Sequence, residues 1–282
     1  MQNKIKFYLL LTRPVNLAII ACTQIIFMVH SSEFQISNIR FSQALLVILA
    51  TAFTAAAGNV INDIFDIEED QINNPEKRII ASKISPRNGR IFYAVLAGLS
   101  LLFGFLSGYT MGLLCLVIGI MLYFYSSDLK GETLWGNLLI SFMTGAVVFT
   151  ADLGVFTRFE GYFAEYALLA FFITMAREIA KDVEDLEGDS AQEYRTFPIV
   201  YGIRKSGILA ALFLIALVLL CLYIMYLNNN LGYRIFTGLL VILPALYIAF
   251  LFQKAESKKE FHRISTLLKL LMVSGILSVL VL

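Results

Sequence analysis

Charge is scarce in this sequence: 15% of its 282 residues are Asp, Glu, Lys or Arg, against 59% hydrophobic. A water-soluble domain of that length needs far more polar surface, so the composition points to a chain that crosses a membrane many times. Histidine is nearly absent. His30 and His262 lie far apart, which argues against a His-built metal site. The three cysteines, Cys22, Cys115 and Cys221, all sit in apolar runs without CxxC or CxxH spacing, so neither a zinc site nor a disulfide framework is supported. The formal net charge of +1 argues neither for nor against nucleic acid, but no Lys/Arg-rich tract and no basic–aromatic interleaving occurs, so no nucleic-acid partner is expected.

What is abundant is long apolar runs. A helix crossing the hydrocarbon core needs ~20 mostly apolar residues. Runs of that size lie near 15–30, 41–61, 91–109, 111–127, 134–152, 163–180, 207–227, 232–252 and 265–282, which makes nine expected spans. The hinge Gly108-Tyr109-Thr110 separates the third from the fourth. The basic start and apolar run of the N-terminus resemble a signal peptide, but Arg13-Pro14 interrupts it and no A-x-A-like site follows. We therefore read a retained first helix. Of the 22 Lys and Arg residues, only Arg40, Arg158 and Arg234 fall on one side of a nine-span chain. That bias places the N-terminus and the loops after spans 2, 4, 6 and 8 in the cytoplasm, and the C-terminus outside. The expected fold is all-α, a polytopic bundle of nine transmembrane helices in a single domain over 1–282.

Against this greasy background two polar stretches stand out. "NVINDIFDIEEDQINNPEKR" spans Asn59–Arg78 and "KDVEDLEGD" spans Lys181–Asp189. Asp63, Asp66 and Asp70 in the first, and Asp182, Asp185 and Asp189 in the second, share the pattern D-x-x-D-x-x-x-D. Offsets of three and seven return to nearly the same helical angle, so each triple can line one face. Each triple extends the end of a span on the same side of the membrane. Six carboxylates around one cavity cannot all stay ionised without cations. Oxygen-only ligands favour a hard ion, Mg²⁺ before Ca²⁺, and Mg²⁺ completes its shell with water and phosphate. A diphosphate is therefore the expected third party. An EF-hand is excluded, because its Gly and its twelfth-position Glu are missing.

Basic residues beside the triples are candidate phosphate ligands: Lys77 and Arg78 after the first, Arg177 and Lys181 before or within the second. Asn59 and Asn62 precede Asp63 and Asp66 by one turn; they either assist the carboxylates and phosphate or bond neighbouring helices. Tyr125 and Lys130 follow span 4, where Lys130 reaches the same cavity or merely obeys the positive-inside bias. Arg13 and Asn16 open span 1, as interfacial anchors or as substrate ligands. Glu178 beside Arg177 reads as an ion pair, and Asp152 near the outer end of span 5 is given no chemical role.

At these residues the chain resembles the UbiA-type intramembrane prenyltransferases. The likeness rests on "GNVINDIFDIEEDQINNPEKR" with "AREIAKDVEDLEGD", and runs from "LTRPVN" through "TFPIVYG". The resemblance implies nine membrane helices and two Asp-rich motifs, 59–78 and 177–189, at the ends of helices 2 and 6. It implies Mg²⁺ held by Asp63, Asp66, Asp70, Asp182, Asp185 and Asp189, with Asp63, Asp66, Asp182 and Asp185 central to catalysis. The substrate ligands would be Asn59, Asn62, Lys77, Arg78, Tyr125, Lys130, Arg177, Lys181, Arg13 and Asn16. The implied reaction transfers a prenyl group from a prenyl diphosphate to a lipid acceptor, within the bilayer. Metal and cations would stabilise the leaving diphosphate, and an aromatic face such as Tyr125 or Phe65 the carbocation-like allylic carbon.

The motif wording looks most like the branch that adds a geranylgeranyl chain to a prenylglyceryl phosphate, forming an ether lipid. One departure bears on the acceptor. After Arg78 the chain reads "RIIASK", where that family has a Pro-containing turn and a Ser-Gly. Prenylation of an aromatic acid or quinone precursor is the alternative. A divalent-cation transporter is the alternative of another class, but it would need polar residues through the outer half of the bundle.

Overall fold

In the computed structural model, residues 2–73, 75, 76, 78–154 and 163–282 are described. Among these residues all regular structure is helical. The chain forms α1 (Gln2–Leu11), α2 (Pro14–Ser31), α3 (Phe41–Phe65), α4 (Ile67–Asn73), α5 (Pro86–Ser107), α6 (Tyr109–Phe124) and α7 (Trp135–Thr150). It continues with α8 (Phe163–Glu184), α9 (Leu186–Ala191), α10 (Phe197–Tyr201), α11 (Ile203–Leu227), α12 (Leu231–Thr237), α13 (Leu243–Lys254) and α14 (Lys258–Leu277).

Local chemistry sets the boundaries. Ser85 caps α5 by accepting from the Asn88 amide, with Pro86 following it in the first turn. Ser257 and Glu260 form a capping box on α14. Asn230 caps α12. Pro244 lacks an amide proton, and just before it the turn Gly238–Ile242 widens to a π geometry. A second π turn, Tyr125–Leu129, prolongs α6, with the Lys130 amide donating to the Tyr125 carbonyl at 2.9 Å.

Among the described residues, eight helical segments are long and apolar enough to cross a membrane: 14–31, 41–65, 86–107, 109–129, 135–154, 203–227, 231–254 and 258–281. The ninth expected span is α8, 22 residues long, whose Glu165, Arg177 and Glu178 interrupt its apolar window. The exterior repeats the compositional argument. Leu219, Phe142, Leu239 and Leu106 are among many large apolar side chains left exposed. Such a surface suits lipid and not water.

The chain divides into two compact units. The first comprises Met1–Lys130 with Thr150–Arg158. Its core gathers Leu11, Ala56, Ala57, Val60, Ile80, Ile84 and Leu96, largely between α3 and α5. Gly108 turns α5 into α6 at φ +151°, a backbone state that glycine adopts without strain. A Cβ on Gly104 would come within 3.1 Å of the Gly112 Cα, so the two helices meet backbone to backbone. The second unit comprises Gly131–Phe149 with Phe159–Leu282. Met175, Ile179, Ala210, Leu214, Ile248, Phe261 and Leu268 form its core, drawn from α8, α11, α13 and α14.

Candidate active site

Both acidic motifs are built by the same backbone device. Helix α3 ends at Phe65, Asp66 takes φ −83° and ψ 10°, and α4 begins at Ile67. Helix α8 ends at Glu184, Asp185 takes φ −98° and ψ 6°, and α9 begins at Leu186. The middle Asp of each triple thus sits at a break. The amides of Asp70 and Asp189 still donate to the carbonyls of Asp66 and Asp185, at 2.8 and 3.0 Å. One triple therefore spans two short-coupled helices rather than one straight face. Asp is a weak helix former, and crowded carboxylates on a straight face repel, so the break relieves both.

In the first unit two cations neutralise the carboxylates. Arg13, held in the left-handed conformation between α1 and α2 (φ 53°), donates to Asp63 at 2.7 Å. Lys130 lies 2.7 Å from Asp66 and 2.6 Å from Glu69. Asp66 is 5% exposed and Glu69 4%, so neither carboxylate relies on water for its charge balance. Asn62 also donates to Asp66, and Asn59 donates to the Thr12 carbonyl at 3.0 Å. Burial alone would lower the Lys130 pKa, but Asp66 and Glu69 outweigh it and hold the ammonium well above its usual value. Tyr125 lies within electrostatic range of both Lys130 and Arg13. The Asp70 carboxyl is pushed up to about 7 by burial, then by Asp66 and Asp63. Arg78 reaches toward the Ile67 carbonyl at 3.5 Å. Asn16 is half-buried in the first turn of α2. Phe65 is exposed and meets Tyr123 edge-on at 5.6 Å. Lys77 lies outside the described residues.

In the second unit the polarity of the clamp is reversed. Glu178, 6% exposed, accepts from Arg177 at 2.7 Å and from Lys181 at 3.0 Å. Asn137 of α7 donates to Asp182 at 2.8 Å. Asp189 is buried and Asp185 half-buried. His262 of α14 pairs with Glu184 at 2.8 Å, just before the break.

The structure thus gathers Arg13, Asn62, Asp63, Asp66, Asp70, Tyr125 and Lys130 around the first break. It brings Arg177, Lys181, Asp182 and Asp185 to the second. Sequence reading missed Glu69, Thr12 and Asn137. Glu69 carried a signal, an acidic residue inside the motif but off its spacing; Asn137 carried none.

Among the described residues, no three His, Cys, Asp or Glu side chains converge tightly enough to hold a metal by themselves. Mg²⁺ commonly takes only one or two carboxylates per ion. Buried Asp66 Oδ1 and Asn62 Oδ1 have no hydrogen-bond partner. Unsatisfied hard oxygens of this kind fit a hard cation. On the anion side, Nε of Arg78 and of Arg177 are buried without partners. The arrangement can hold a divalent cation on carboxylates and meet an anionic group with guanidinium and ammonium donors.

Residues 19–273 match the UbiA prenyltransferase family. The chain is 37% identical over 275 residues to digeranylgeranylglyceryl phosphate synthase of Methanobrevibacter smithii, covering 93% of this chain and 92% of that one. It is 34% identical over 266 residues to the enzyme of that name from Methanothermobacter thermautotrophicus, covering 93% and 90%. A solved structure of digeranylgeranylglyceryl phosphate synthase superposes with a TM-score of 0.74 at 30% identity, over 99% of this chain and all of that one (100%). A UbiA homolog from Archaeoglobus fulgidus, bound to DMAPP and Mg²⁺, shares the fold at a TM-score of 0.68 and 20% identity, over 98% and 99%.

Proposed function

This chain belongs to the UbiA prenyltransferase family, and from that membership we propose that it transfers a geranylgeranyl group from its diphosphate to a prenylglyceryl phosphate, making an ether lipid. The observation that carries this reading is the pair of D-x-x-D-x-x-x-D breaks at Asp66 and Asp185, each flanked by half-buried cations. Carboxylates for a divalent ion beside donors for phosphate suit a substrate whose leaving group is diphosphate. The relatives 37% and 34% identical carry the name digeranylgeranylglyceryl phosphate synthase, which supports this acceptor over an aromatic one.

Asp63, Asp66, Asp70, Asp182, Asp185 and Asp189 would hold Mg²⁺, with Asn62 lending its unpaired amide oxygen. When bound, the ion supplies charge stabilisation to the departing diphosphate. The chain's own residues do the remaining work. Lys130, Arg78, Arg177 and Lys181 donate to phosphate oxygens. Asn59 fixes α3 against the Thr12 carbonyl, and so fixes the approach of Arg13. Tyr125 lies within electrostatic range of Lys130 and Arg13. The apolar exterior keeps both lipid chains in the bilayer while the polar ends of α3 and α8 meet the head groups. The Lys and Arg bias supports a cytoplasmic N-terminus and site. The two compact units act as one prenyltransferase domain in this reading.

The test is an acceptor panel with labelled geranylgeranyl diphosphate and Mg²⁺ in nanodiscs. Label should move to geranylgeranylglyceryl phosphate, and not to 4-hydroxybenzoate or a naphthoate. Transfer to either aromatic acid instead overturns the acceptor and leaves the chemistry standing.

A further inference from the structure

Lys130 is held by two carboxylates, and only one of them belongs to the repeated Asp pattern. Its Nζ lies 2.7 Å from Asp66 Oδ2 and 2.6 Å from Glu69 Oε2. Asp66 Oδ2 also receives Asn62, whereas Asp66 Oδ1 is buried and unpartnered. Asp66 is therefore half-occupied by an internal cation and half-open. A divalent ion drawn to Asp66 would meet an ammonium already on the same carboxylate. Two cations at such a separation repel strongly in a site shielded from water. Lys130 then needs a second anchor, or it leaves the site when it is needed for phosphate. Glu69 is that anchor. It lies three residues after Asp66, across the break and on the same helical face, and is 4% exposed. The backbone beneath Lys130 is held by the hydrogen bond its amide donates to the Tyr125 carbonyl, so the side chain pivots from a helical base.

We propose that Glu69 is a positioning residue: it retains Lys130 when a divalent cation takes over Asp66, so that the lysine changes partner from carboxylate to diphosphate without leaving the site. An ammonium has three donors. Asp66 and Glu69 engage it in the metal-free protein; after exchange Glu69 keeps one donor and the others face the phosphate. Lys130 is thus a resident countercation that holds the carboxylates together before the metal arrives. This inference rests on the functional reading above.

The experiment is a double-mutant cycle of Glu69→Gln and Lys130→Met in nanodiscs, with two readouts. The first is Mg²⁺ affinity without donor, by calorimetry. Lys130→Met should bind Mg²⁺ more tightly than wild type, because nothing competes for Asp66. Glu69→Gln should bind it more weakly, because Lys130 then rests on Asp66 alone. Each shift should be roughly tenfold, the size expected of one charged hydrogen bond. The second readout is steady-state kinetics with geranylgeranyl diphosphate. Glu69→Gln should raise KM for the donor by roughly tenfold, more than it lowers kcat. It should do nothing further in the Lys130→Met background, and Glu69→Asp should restore part of the loss.

A purely structural Glu69 would cost the same with or without Lys130, so additive effects overturn the proposal. Unchanged Mg²⁺ affinities overturn it equally. If wild type binds no prenyl diphosphate at any Mg²⁺ concentration, the functional reading falls and takes this inference with it. Donor binding by wild type with additive variants sinks the inference alone.

Discussion

Asp70 is the side chain whose chemistry is most exposed to pH. Its carboxyl is pushed from near 3.8 up to about 7 by burial and the neighbouring Asp66 and Asp63. A folded-state value above the unfolded one means the protonated form is favoured on folding. That stabilisation is complete below about pH 4 and is lost as pH rises through about 7. Metal-free protein should therefore lose thermal stability from this group between about pH 4 and about 7, and Mg²⁺ should restore it. Mg²⁺ affinity should climb over the same window, with a proton released on binding near pH 7. Calorimetry in buffers of different ionisation enthalpy would count that proton. Asp70→Asn should abolish the release, and a release that persists would shift the assignment elsewhere. Asn137 offers a second residue-scale test. It is buried and donates to Asp182 at 2.8 Å. Asn137→Ala should lower kcat/KM by roughly tenfold, the worth of one hydrogen bond to a charged group. Asn137→Asp should lower it further by setting like charges together. The Asp triples and Lys130 were legible in the sequence because charge in an apolar chain needs a reason. Asn137 was not, and the charge of Glu69 was legible but its partner was not. Their partners lie 45 and 61 residues away, and only folding creates the contact.

At the scale of the elements, the apolar runs were readable as helices because nothing shorter than a span would use them. The break at each motif was not readable. No Gly or Pro lies between Asn62 and Asp70, and the helical offsets continue through Asp66 and Asp185 in the backbone bonding. The short hinge between 91–109 and 111–127 was readable, and Gly108 occupies it with a positive φ. Span α8 illustrates a conflict of duties. It must cross the bilayer, yet it carries Arg177, Glu178, Lys181 and Asp182 in its last two turns. Helix packing in the second unit is tightest at Gly207, where an added Cβ would stand 2.5 Å from the Phe252 carbonyl oxygen. Gly207→Val should force α11 from α13 and cost about 1–3 kcal/mol of stability. Thermal unfolding in detergent checks this; an unchanged midpoint would mean that α11 and α13 separate freely.

For the molecule as a whole, orientation follows from where the cations lie. In the proposed orientation, which the positive-inside bias supports, the loop between α13 and α14 is cytoplasmic and the loop between α11 and α12 lies outside. In a Cys22→Ser background, Lys259→Cys should resist a membrane-impermeant maleimide in intact cells, whereas Asn229→Cys should react. Both positions are exposed, while Cys115 and Cys221 are buried. Reversed labelling would invert the topology and move the site to the outer face.

In the proposed reaction both acidic breaks serve one prenyl transfer. The most direct measurement is Mg²⁺-dependent release of diphosphate together with labelled ether-lipid product, for wild type, Asp66→Ala and Asp185→Ala in nanodiscs. Wild type should release one diphosphate per product, and each variant should lose both signals by at least about a hundredfold while keeping its fold. Product formation that survives either substitution would contradict the claim, because one motif would then suffice.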